Sequence, residues 1–501
     1  MKLDKKFVLA SILSYSLIFP AGICGAEPVR LSLAESIHMA LAGNESIEST
    51  DAQREAADHA LQAARRSKGP VVSWSSQAYK IGGRNYKSAN DAHDAYGDPH
   101  AGNYNSVYAY PDSGRAFIGG PVTVGSYAYH NTFANSWSLT VPVYTGGRLE
   151  GQIAAGRYQL NRADMDMENS RQTVRYQAAE AYADLIYREN LAQVAQEAVD
   201  KGNTQLELIR AQFEEGAVAE ADLLMMKVTI ANYKQNLVNA EAAVSIAKST
   251  LASIVGLPQD MDIEPLDVFT YEPYDKDLPA CEAYALAHRP DGLAAEYDIK
   301  AALARRDAAK SGYLPQVSAS ARQSITGNTP FRSERSNAWE AGLNISWNIF
   351  DNGVTRENVR QADASTRAYE ARARQMKKTI QLETRSAWLS MKAAEQNIAE
   401  TAGAVKQAQD SYVIAQVRYE EGVDVLLAVT DAQEKFTQAR SNYLTALYQY
   451  NLSRAKLEKA IGVPVAFDAQ RYKVAEEDGA SSLQALKKAD VSGSLAETEH
   501  E

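Results

Sequence analysis

Side chains that could bind a metal ion are concentrated in the stretch NDAHDAYGDPH, which contains Asp91, His93, Asp94, Asp98 and His100. Carboxylates and imidazoles are common ligands of divalent metals. Acidic polar loops also carry such residues without binding a metal, and the surrounding region, about 82–131, is rich in Tyr, Gly and Asn. That composition is typical of an adaptable surface loop. We therefore predict an exposed loop here, and neither a metal site nor a cofactor.

Motifs of enzyme catalysis are missing from the sequence. It contains no HExxH, no GxSxG, no phosphate-binding loop and no cluster of cysteine and histidine, and its seven histidines are scattered. Of its two cysteines, Cys24 lies in an N-terminal leader, and Cys281 lies in an alanine-rich helical stretch where a packing role is expected. We predict that the protein is not an enzyme.

The remaining candidate functional groups are charged side chains, and they are concentrated beside two glycines. FEEGAVAEADLL starts at Phe213 and YEEGVDVLLAVTD starts at Tyr419, 206 positions later. GLP at 256–258 matches GVP at 462–464, and YTGGRLEGQI at 144–153 matches FDNGVTRENV at 350–359, with the same offset of 206. These repeated offsets predict an internal duplication.

The offset changes towards the N-terminus. The motif GPVVSWS has Pro70 and its counterpart LPQVSAS has Pro315, which is 245 positions later. The first repeat therefore carries 39 additional residues (245 minus 206) between Pro70 and Gly147. We place them in the loop 82–131.

The first 26 residues have the pattern of a secretory signal peptide, with three lysines before the apolar run FVLASILSYSLIF and cleavage expected after Ala26. Lipidation of Cys24 is the alternative, which the bulky Ile23 disfavours. The formal charge is −11 and the leader carries three Lys and one Asp, so the mature chain has about −13 (−11 minus 2). This acidic balance disfavours nucleic-acid binding. Beyond the leader no run of 18 apolar residues occurs, which excludes a bundle of transmembrane helices but not membrane strands.

Each repeat has the same predicted order of elements. A helix of about 35 residues (33–67 and 280–312) precedes two strands, and a helical run of 66 residues (148–213 and 354–419) leads to the EEG turn and a last helix. Each long run would span roughly 100 Å. The glycines of the EEG and GLP/GVP motifs are placed to take the left-handed conformation that ends a helix; they are Gly216, Gly256, Gly422 and Gly462.

A heptad pattern runs through the long helices. Met391, Ile398, Val405, Tyr412 and Tyr419 fall seven apart, and the first repeat has the series Leu185, Ala192, Val199, Leu206 and Phe213. This spacing predicts packed, supercoiled helices. The domain boundaries follow as a signal peptide 1–26, a first repeat 27–258 with its tip at 213–222, a linker 259–279, a second repeat 280–465 with its tip at 419–431, and a polar acidic tail 466–501.

Two of the predicted strands alternate between apolar and polar residues. The apolar positions, our lipid-facing candidates, are Trp137, Leu139, Val141, Val143, Leu343, Ile345, Trp347 and Ile349. Strands of this length suit a bilayer, and they equally suit a soluble sandwich. Four strands per chain are too few for a membrane barrel, so several chains would have to share one.

Taken together, these motifs resemble the TolC family of outer-membrane efflux channels. The resemblance covers about 31–465 and depends on SLAESIHMALAGN (32–44), the strand-opening Pro70 and Pro315, the TGGR and DNGV turns, both EEG tips and the terminal GLP and GVP. It implies a mostly α fold with a membrane β-barrel. Long coiled-coil helices would form a periplasmic α-barrel, and four transmembrane strands per protomer would close the β-barrel as a homotrimer.

The resemblance also implies a function and partners. Such channels lie in the outer membrane and export small molecules, such as drugs or toxic ions, which they receive from a periplasmic adaptor protein and an inner-membrane pump. The exit duct of a type I protein secretion system is the alternative on the same fold. A periplasmic coiled-coil scaffold or adhesin is a third reading, which would explain the heptads but not the repeated strands.

In this family the EEG turns are the periplasmic tips, where the adaptor docks and the tunnel closes. The residues that the resemblance assigns to the gate are Asp222, Tyr419, Asp424 and Asp431. Those that it assigns to docking are Phe213, Glu214, Glu215, Gly216, Glu420, Glu421 and Gly422. Carboxylates facing the lumen would form a ring that favours cations. The alternative for Asp222 and Asp431 is a place in the first turn of a helix, where an acid complements the helix dipole.

Overall fold

The computed structural model describes residues 29–80, 107–109, 116–118, 131–327, 329–333 and 336–465. The predicted signal peptide 1–26, the tail 466–501 and the metal-ligand candidates at 91–100 lie outside these residues, as does most of the loop 82–131. Among the described helices, none is both long enough and apolar enough to cross a membrane.

The first half of the chain begins with a short strand and ends with a helical hairpin. Its elements are β1 (Val29–Leu31), α1 (Leu33–Gly43), α2 (Glu45–Arg66), β2 (Val71–Lys80), β3 (Val107–Ala109), β4 (Ala116–Ile118), β5 (Asn131–Tyr144), α3 (Arg148–Glu214) and α4 (Glu220–Val255).

The second half repeats this order. Its elements are β6 (Ile263–Pro265), α5 (Leu278–His288), α6 (Pro290–Ala309), a 3₁₀ turn (Lys310–Tyr313), β7 (Gln316–Gly327), β8 (Ser336–Ser346), α7 (Val354–Glu420) and α8 (Leu426–Ile461). The long helices α3 and α7 each have 67 residues, and both they and the hairpin partners α4 and α8 begin and end 206 positions apart.

The prediction of one continuous opening helix in each half was wrong. The chain breaks between α1 and α2 at Asn44, whose extended backbone (φ −82°, ψ 127°) lets its side chain accept from Ser46 N at 3.0 Å and cap α2. The second half breaks at Arg289, because the residue before Pro290 is disfavoured in the helical region. In both halves the sequence signal was a residue type, Asn or X-Pro, inside an otherwise helical pattern.

Four long strands form one antiparallel sheet in the order β2-β5-β7-β8, and within the described residues no further strand pairs with the outer edge of β2 or β8. Trp137 lies opposite Trp74 on β2 and opposite Gln323 on β7, with the two indole centroids 6.2 Å apart. The residues that share this apolar, exposed face include Val72, Trp74, Trp137, Leu139, Trp339, Leu343 and Ile345. The other face is polar, and the Ser73 and Ser138 hydroxyls lie 2.7 Å apart on it.

The last strand is shorter than the alternating pattern predicts. It ends at Ser346, so Trp347 and Ile349 follow the strand rather than belong to it. Trp347 instead donates its indole N–H to the Tyr313 carbonyl at 3.1 Å. On β5 the pairing with β7 shifts between Pro142 and Tyr144, so Val143 lies in an irregular stretch that the alternation did not reveal.

The long helices of the described residues form one layer with two edges. Below the sheet α3 packs between α2 and α6, and towards the tips it packs between α4 and α8, while α7 packs against α6 and α8. The order is therefore α2-α3-α6-α7 near the sheet and α4-α3-α8-α7 near the tips. In both parts α7 forms one edge, and α2 or α4 forms the other.

A small parallel pairing of β1 with β6 joins the start of the first half to the start of the second half, next to α3. Tyr182, 2% exposed, donates its hydroxyl towards the Leu31 carbonyl at 2.9 Å and the Asp267 carboxylate at 2.8 Å. The surrounding core includes Leu185 and Leu251, both fully buried. Cys281 is buried in the corresponding core of the second half, in the packing role that the sequence predicts.

A row of buried polar residues follows one face of α3, at Asn161, Asp164, Glu168 and Gln172. Asp164 pairs with Arg54 of α2 at 2.7 Å, and burial raises the pKa of Asp164 to about 6. Glu168 accepts from Val465 N at 2.9 Å, and burial raises its pKa to about 7. The sequence analysis missed this row, although its spacing of three and four residues marks a single helix face.

Candidate functional site: the two helical tips

Both tips are tight turns closed by a glycine. α3 ends at Glu214 and Gly216 takes φ +73°, with Ala217 N donating to the Gln212 carbonyl at 2.8 Å. In the second tip Gly422 takes φ +71°, and Val423 N donates to the Arg418 carbonyl at 2.8 Å. These bonds satisfy carbonyls at the helix end that would otherwise lack a donor, and the left-handed conformation they require favours glycine. The structure thus has both tip glycines in the predicted conformation.

Tyr419 joins the two tips. It is 9% exposed and donates its hydroxyl to the Gln212 side chain of α3 at 3.2 Å. Its ring packs in an apolar cluster whose buried members are Ile209, Met226, Ile230, Leu426 and Val429. Burial raises the pKa of Tyr419, and the nearby Asp222 carboxylate raises it further. Two gate candidates from different halves of the sequence, Tyr419 and Asp222, are therefore close together.

The other two gate candidates pair within their own hairpin. Asp424 accepts from Arg418 Nε at 3.2 Å across the second turn. Asp431 is exposed and lies 2.6 Å from Lys435, one helical turn later. The first-turn alternative holds for Asp222 in α4 but is wrong for Asp431, since α8 begins at Leu426 and has no acid in its first turn. Among the residues that the structure describes, no group of three ligating side chains could hold a metal.

The docking candidates are exposed at the rim. Phe213 is partly covered, Glu214 pairs with Arg210 at 3.3 Å, and Glu420 accepts from Gln416 at 3.2 Å. Sequence analysis missed the apolar residues beside these carboxylates on the second tip, Val423, Val425 and Leu427, which are all more than 60% exposed. The sequence signal was the stretch GVDVLL, which directly follows the turn and contains more apolar residues than charged ones.

A polar contact between α3 and α8 lies above the tips and was not foreseen. Glu197 and Arg440 form an ion pair that holds the pKa of Glu197 below its usual range. One turn further, Lys201 lies over the Phe436 ring at 4.7 Å from its centroid. On the other side Tyr187 stacks on Tyr448, with centroids 4.7 Å apart. We call this set of contacts the clamp.

Replacing both tip glycines, Gly216→Val and Gly422→Val, is expected to distort the turns. No atom lies within 4 Å of a Cβ added at either position, so the cost comes from the left-handed backbone, about 1–2 kcal/mol at each site. We expect about tenfold faster protease cleavage at the tips, with the predicted membrane-bound oligomer retained. Gly43→Val is the matched control, because it is equally uncrowded and has an ordinary φ. Loss of the oligomer in the double variant alone would show that these glycines act in folding.

The family model described as outer membrane efflux protein matches residues 36–257 and 283–463. Among curated proteins, the probable efflux pump outer membrane protein SepC of Pseudomonas putida is 27% identical over 292 residues, which is 56% of this chain and 59% of SepC. The pyoverdine export outer membrane protein OpmQ of Pseudomonas aeruginosa is 22% identical over 336 residues, which is 66% of this chain and 69% of OpmQ. The match to SepC thus spans less than two thirds of that relative.

Solved structures show the same fold. The Campylobacter jejuni CmeC outer membrane channel superposes with a TM-score of 0.70 at 17% identity, covering 91% of this chain and 89% of CmeC. The chain belongs to the outer membrane efflux protein family. The resemblance read from the sequence is therefore confirmed, as is the predicted location in the outer membrane with the helical part in the periplasm.

Proposed function

We propose that three copies of this chain assemble into an outer-membrane channel through which small molecules are exported. The observation that carries the proposal is the open architecture of the single chain. In the part of the chain that the structure describes, the helical layer has two uncovered edges, and the sheet ends at β2 on one side and β8 on the other. A protein that folded to function alone would be expected to cover such edges.

The sheet supports closure between chains. Large apolar side chains are exposed on its apolar face along β2, β5 and β8, and a patch of this kind is typical of a surface that meets lipid or protein. Unpaired strand edges are not tolerated in lipid, because each free N–H and C=O would lack a partner there. Pairing β8 of one chain with β2 of the next, in three chains of four strands, would give a barrel of 12 strands.

The helices support the same closure. The outer face of α4 exposes an apolar stripe of Leu224, Val228, Val238 and Ile246. The edge helix α7 exposes Leu382, Leu389, Ile414 and Val417. Burying two such stripes against each other would be favourable by roughly 25 cal/mol per Å² of apolar area. A ring of three chains would enclose a tunnel of about 100 Å, the length of α3 and α7.

The channel would move its cargo without chemistry of its own, so we propose that it is not an enzyme. Energy would come from an inner-membrane pump, and a periplasmic adaptor would dock on the tips. The names of the relatives refer to efflux pumps and to pyoverdine export, which favours small-molecule efflux over protein secretion. The acidic tips would receive the adaptor, and the apolar residues Val423, Val425 and Leu427 would be covered by it.

Single-channel conductance in a planar bilayer tests this function. We expect small, cation-selective openings from the wild-type protein, and larger or less selective openings from an Asp222→Ala/Asp431→Ala variant if these carboxylates line the closed entrance. Asp166→Ala is a matched control, since this partly buried acid of α3 lies far from the tips. Unchanged openings in the variant would remove these two residues from the gate. Oligomeric, inserted protein that never conducts would contradict the channel itself.

A further inference from the structure

Charged residues are rare in the four long strands of the sheet. β2, β5, β7 and β8 contain three in all, which are Lys80 at the end of β2, Arg322 on β7 and Glu340 on β8. Arg322 and Glu340 lie directly opposite each other in the antiparallel pairing of β7 with β8. The sheet therefore places one positive and one negative side chain next to each other on the same face.

That face is the polar one. Arg322 lies opposite Ser138 on β5, and Ser138 in turn lies opposite Ser73 on β2, so one row of paired residues crosses all four strands. The Ser73 and Ser138 hydroxyls form the 2.7 Å contact that lies on the polar face. Gln323, the next residue along β7, is paired with Trp137 and belongs to the apolar face.

The surroundings of the two charged residues are uncharged. Their nearest neighbours on the polar face, one row above and one row below, are Ser136, Thr140, Ser320, Ser324, Ala338 and Gly342. Arg322 and Glu340 are both exposed, and within the described residues neither forms an ion pair or a side-chain hydrogen bond. Residues directly opposite on neighbouring strands have Cβ atoms about 5 Å apart, so both charged groups can reach the same small solute.

The pair lies near the middle of the strands. Arg322 is six residues beyond Gln316, where β7 begins (322 minus 316), and Glu340 is six residues before Ser346, where β8 ends (346 minus 340). At about 3.3 Å per residue, both lie roughly 20 Å along the strands from the end that joins the helices. In the barrel that we propose, the apolar face meets lipid and the polar face lines the lumen. Each chain then contributes one arginine and one glutamate at the same level of the lumen.

We propose that Arg322 and Glu340 form a charged contact site in the lumen of the barrel, where the ionised groups of a passing solute are held transiently. Arg322 attracts carboxylate, phosphate or sulfonate groups, and Glu340 attracts amines. The solutes that fit this site are small molecules with an anionic group, a cationic group or both. This inference rests on the proposed function, and it adds the class of cargo and the residues that meet it in the barrel.

Charged thiol reagents test this site without requiring the helical tips to open. The variants Arg322→Cys and Glu340→Cys each place a thiol on the polar face beside the charge that remains. Cys281 is 1% exposed, so it is not expected to react. Isolated outer membranes are treated with a methanethiosulfonate that carries a sulfonate, or with one that carries a trimethylammonium, and both rates are measured at low and high salt. Gln323→Cys, on the apolar face, is the matched control for orientation.

We expect the ratio of the anionic to the cationic rate to be at least about tenfold higher for Glu340→Cys than for Arg322→Cys at low salt. The difference should vanish in 1 M salt, and the ratio for Glu340→Cys should fall in Glu340→Cys/Arg322→Gln. Equal ratios at low salt, a ratio that does not respond to loss of Arg322, or no reaction at either position would overturn the site. If Gln323→Cys reacted as fast as the other two, both faces of the sheet would be in water. That result would contradict the proposed barrel itself, and this inference with it.

Discussion

Replacing Gly151 by valine is expected to prevent most of the protein from reaching the oligomeric state that we propose. Gly151 lies on α3 where this helix crosses α6, and a Cβ there would be 2.8 Å from both the Ala304 carbonyl oxygen and the Ala308 Cβ. Because the obstructing atoms include backbone, the helices themselves would have to separate. Overpacking of this kind costs about 3 kcal/mol or more when backbone must move, a large part of a typical stability.

The measurement is the amount of heat-resistant oligomer in isolated outer membranes, for which we expect more than a tenfold loss. Alanine variants supply the control. Gly151→Ala should still destabilise by about 1–3 kcal/mol, whereas Gly156→Ala on the same helix meets its nearest atom, Leu61 Cδ1, at an ordinary 3.5 Å. Gly156→Ala is therefore expected to be neutral or slightly stabilising. Equal behaviour of the two alanine variants would contradict the close approach of α3 to α6.

Removing the positive charge of Arg54, as Arg54→Met, is expected to destabilise the protein by about 3–5 kcal/mol at pH 8. Asp164 would then keep a buried charge without its 2.7 Å ion-pair partner. The pair of Arg162 and Asp166 on the same helix, with side chains 48% and 46% exposed, is the control, and Arg162→Met should cost less than about 1 kcal/mol. A similar small loss from Arg54→Met would show that the buried pair is of little importance to stability.

The effect of Arg54→Met should depend on pH, because burial raises the pKa of Asp164 from 3.8 to about 6 in the folded protein. Between these values the folded state binds more protons than the unfolded state, so stability falls as the pH rises through this window. Loss of Arg54 raises the pKa of Asp164 further, since the guanidinium lowers it. At pH 5 the Asp164 carboxyl is mostly protonated with or without Arg54. The loss of stability caused by Arg54→Met should therefore be smaller at pH 5 than at pH 8.

Denaturant titrations or thermal unfolding at pH 5 and pH 8 measure this difference. The double variant Arg54→Met/Asp164→Asn removes the carboxylate charge as well. Its loss of stability should therefore no longer depend on pH. If Arg54→Met lowered the stability equally at both pH values, the unpaired charge of Asp164 would not be the cause of the loss.

Local patterns in the sequence were sufficient for the repeated elements and for the family. The tip glycines and the length of the long helices follow from residue type and spacing within one segment, and the 206-residue offset follows from comparing two such segments. Gly216 and Gly422 could be assigned a left-handed conformation from the sequence because few other residues tolerate it. Each of these features can be recognised without knowing which segments are in contact.

The breaks at Asn44 and Arg289 and the early end of β8 were not predicted. Hydrophobic periodicity continues through a helix break when both helices face the same core, so the pattern does not show where the chain bends. Trp347 continues the alternation of β8 in sequence, but its indole meets the Tyr313 carbonyl rather than the sheet face.

The contacts between distant segments were decided by the tertiary structure alone. Tyr419 is a gate candidate by its place beside a glycine, but only packing brings it to Gln212 and near Asp222, about 200 positions earlier. The pairs Arg54–Asp164 and Glu197–Arg440 have no sequence signature either, because a charged residue on a helix is usually solvated. The amino-acid sequence thus determined the repeated helices, strands and turns of this protein. The order in which those helices lie side by side, and with it the identity of the edges left open for a second chain, depended on long-range packing that no local pattern contains.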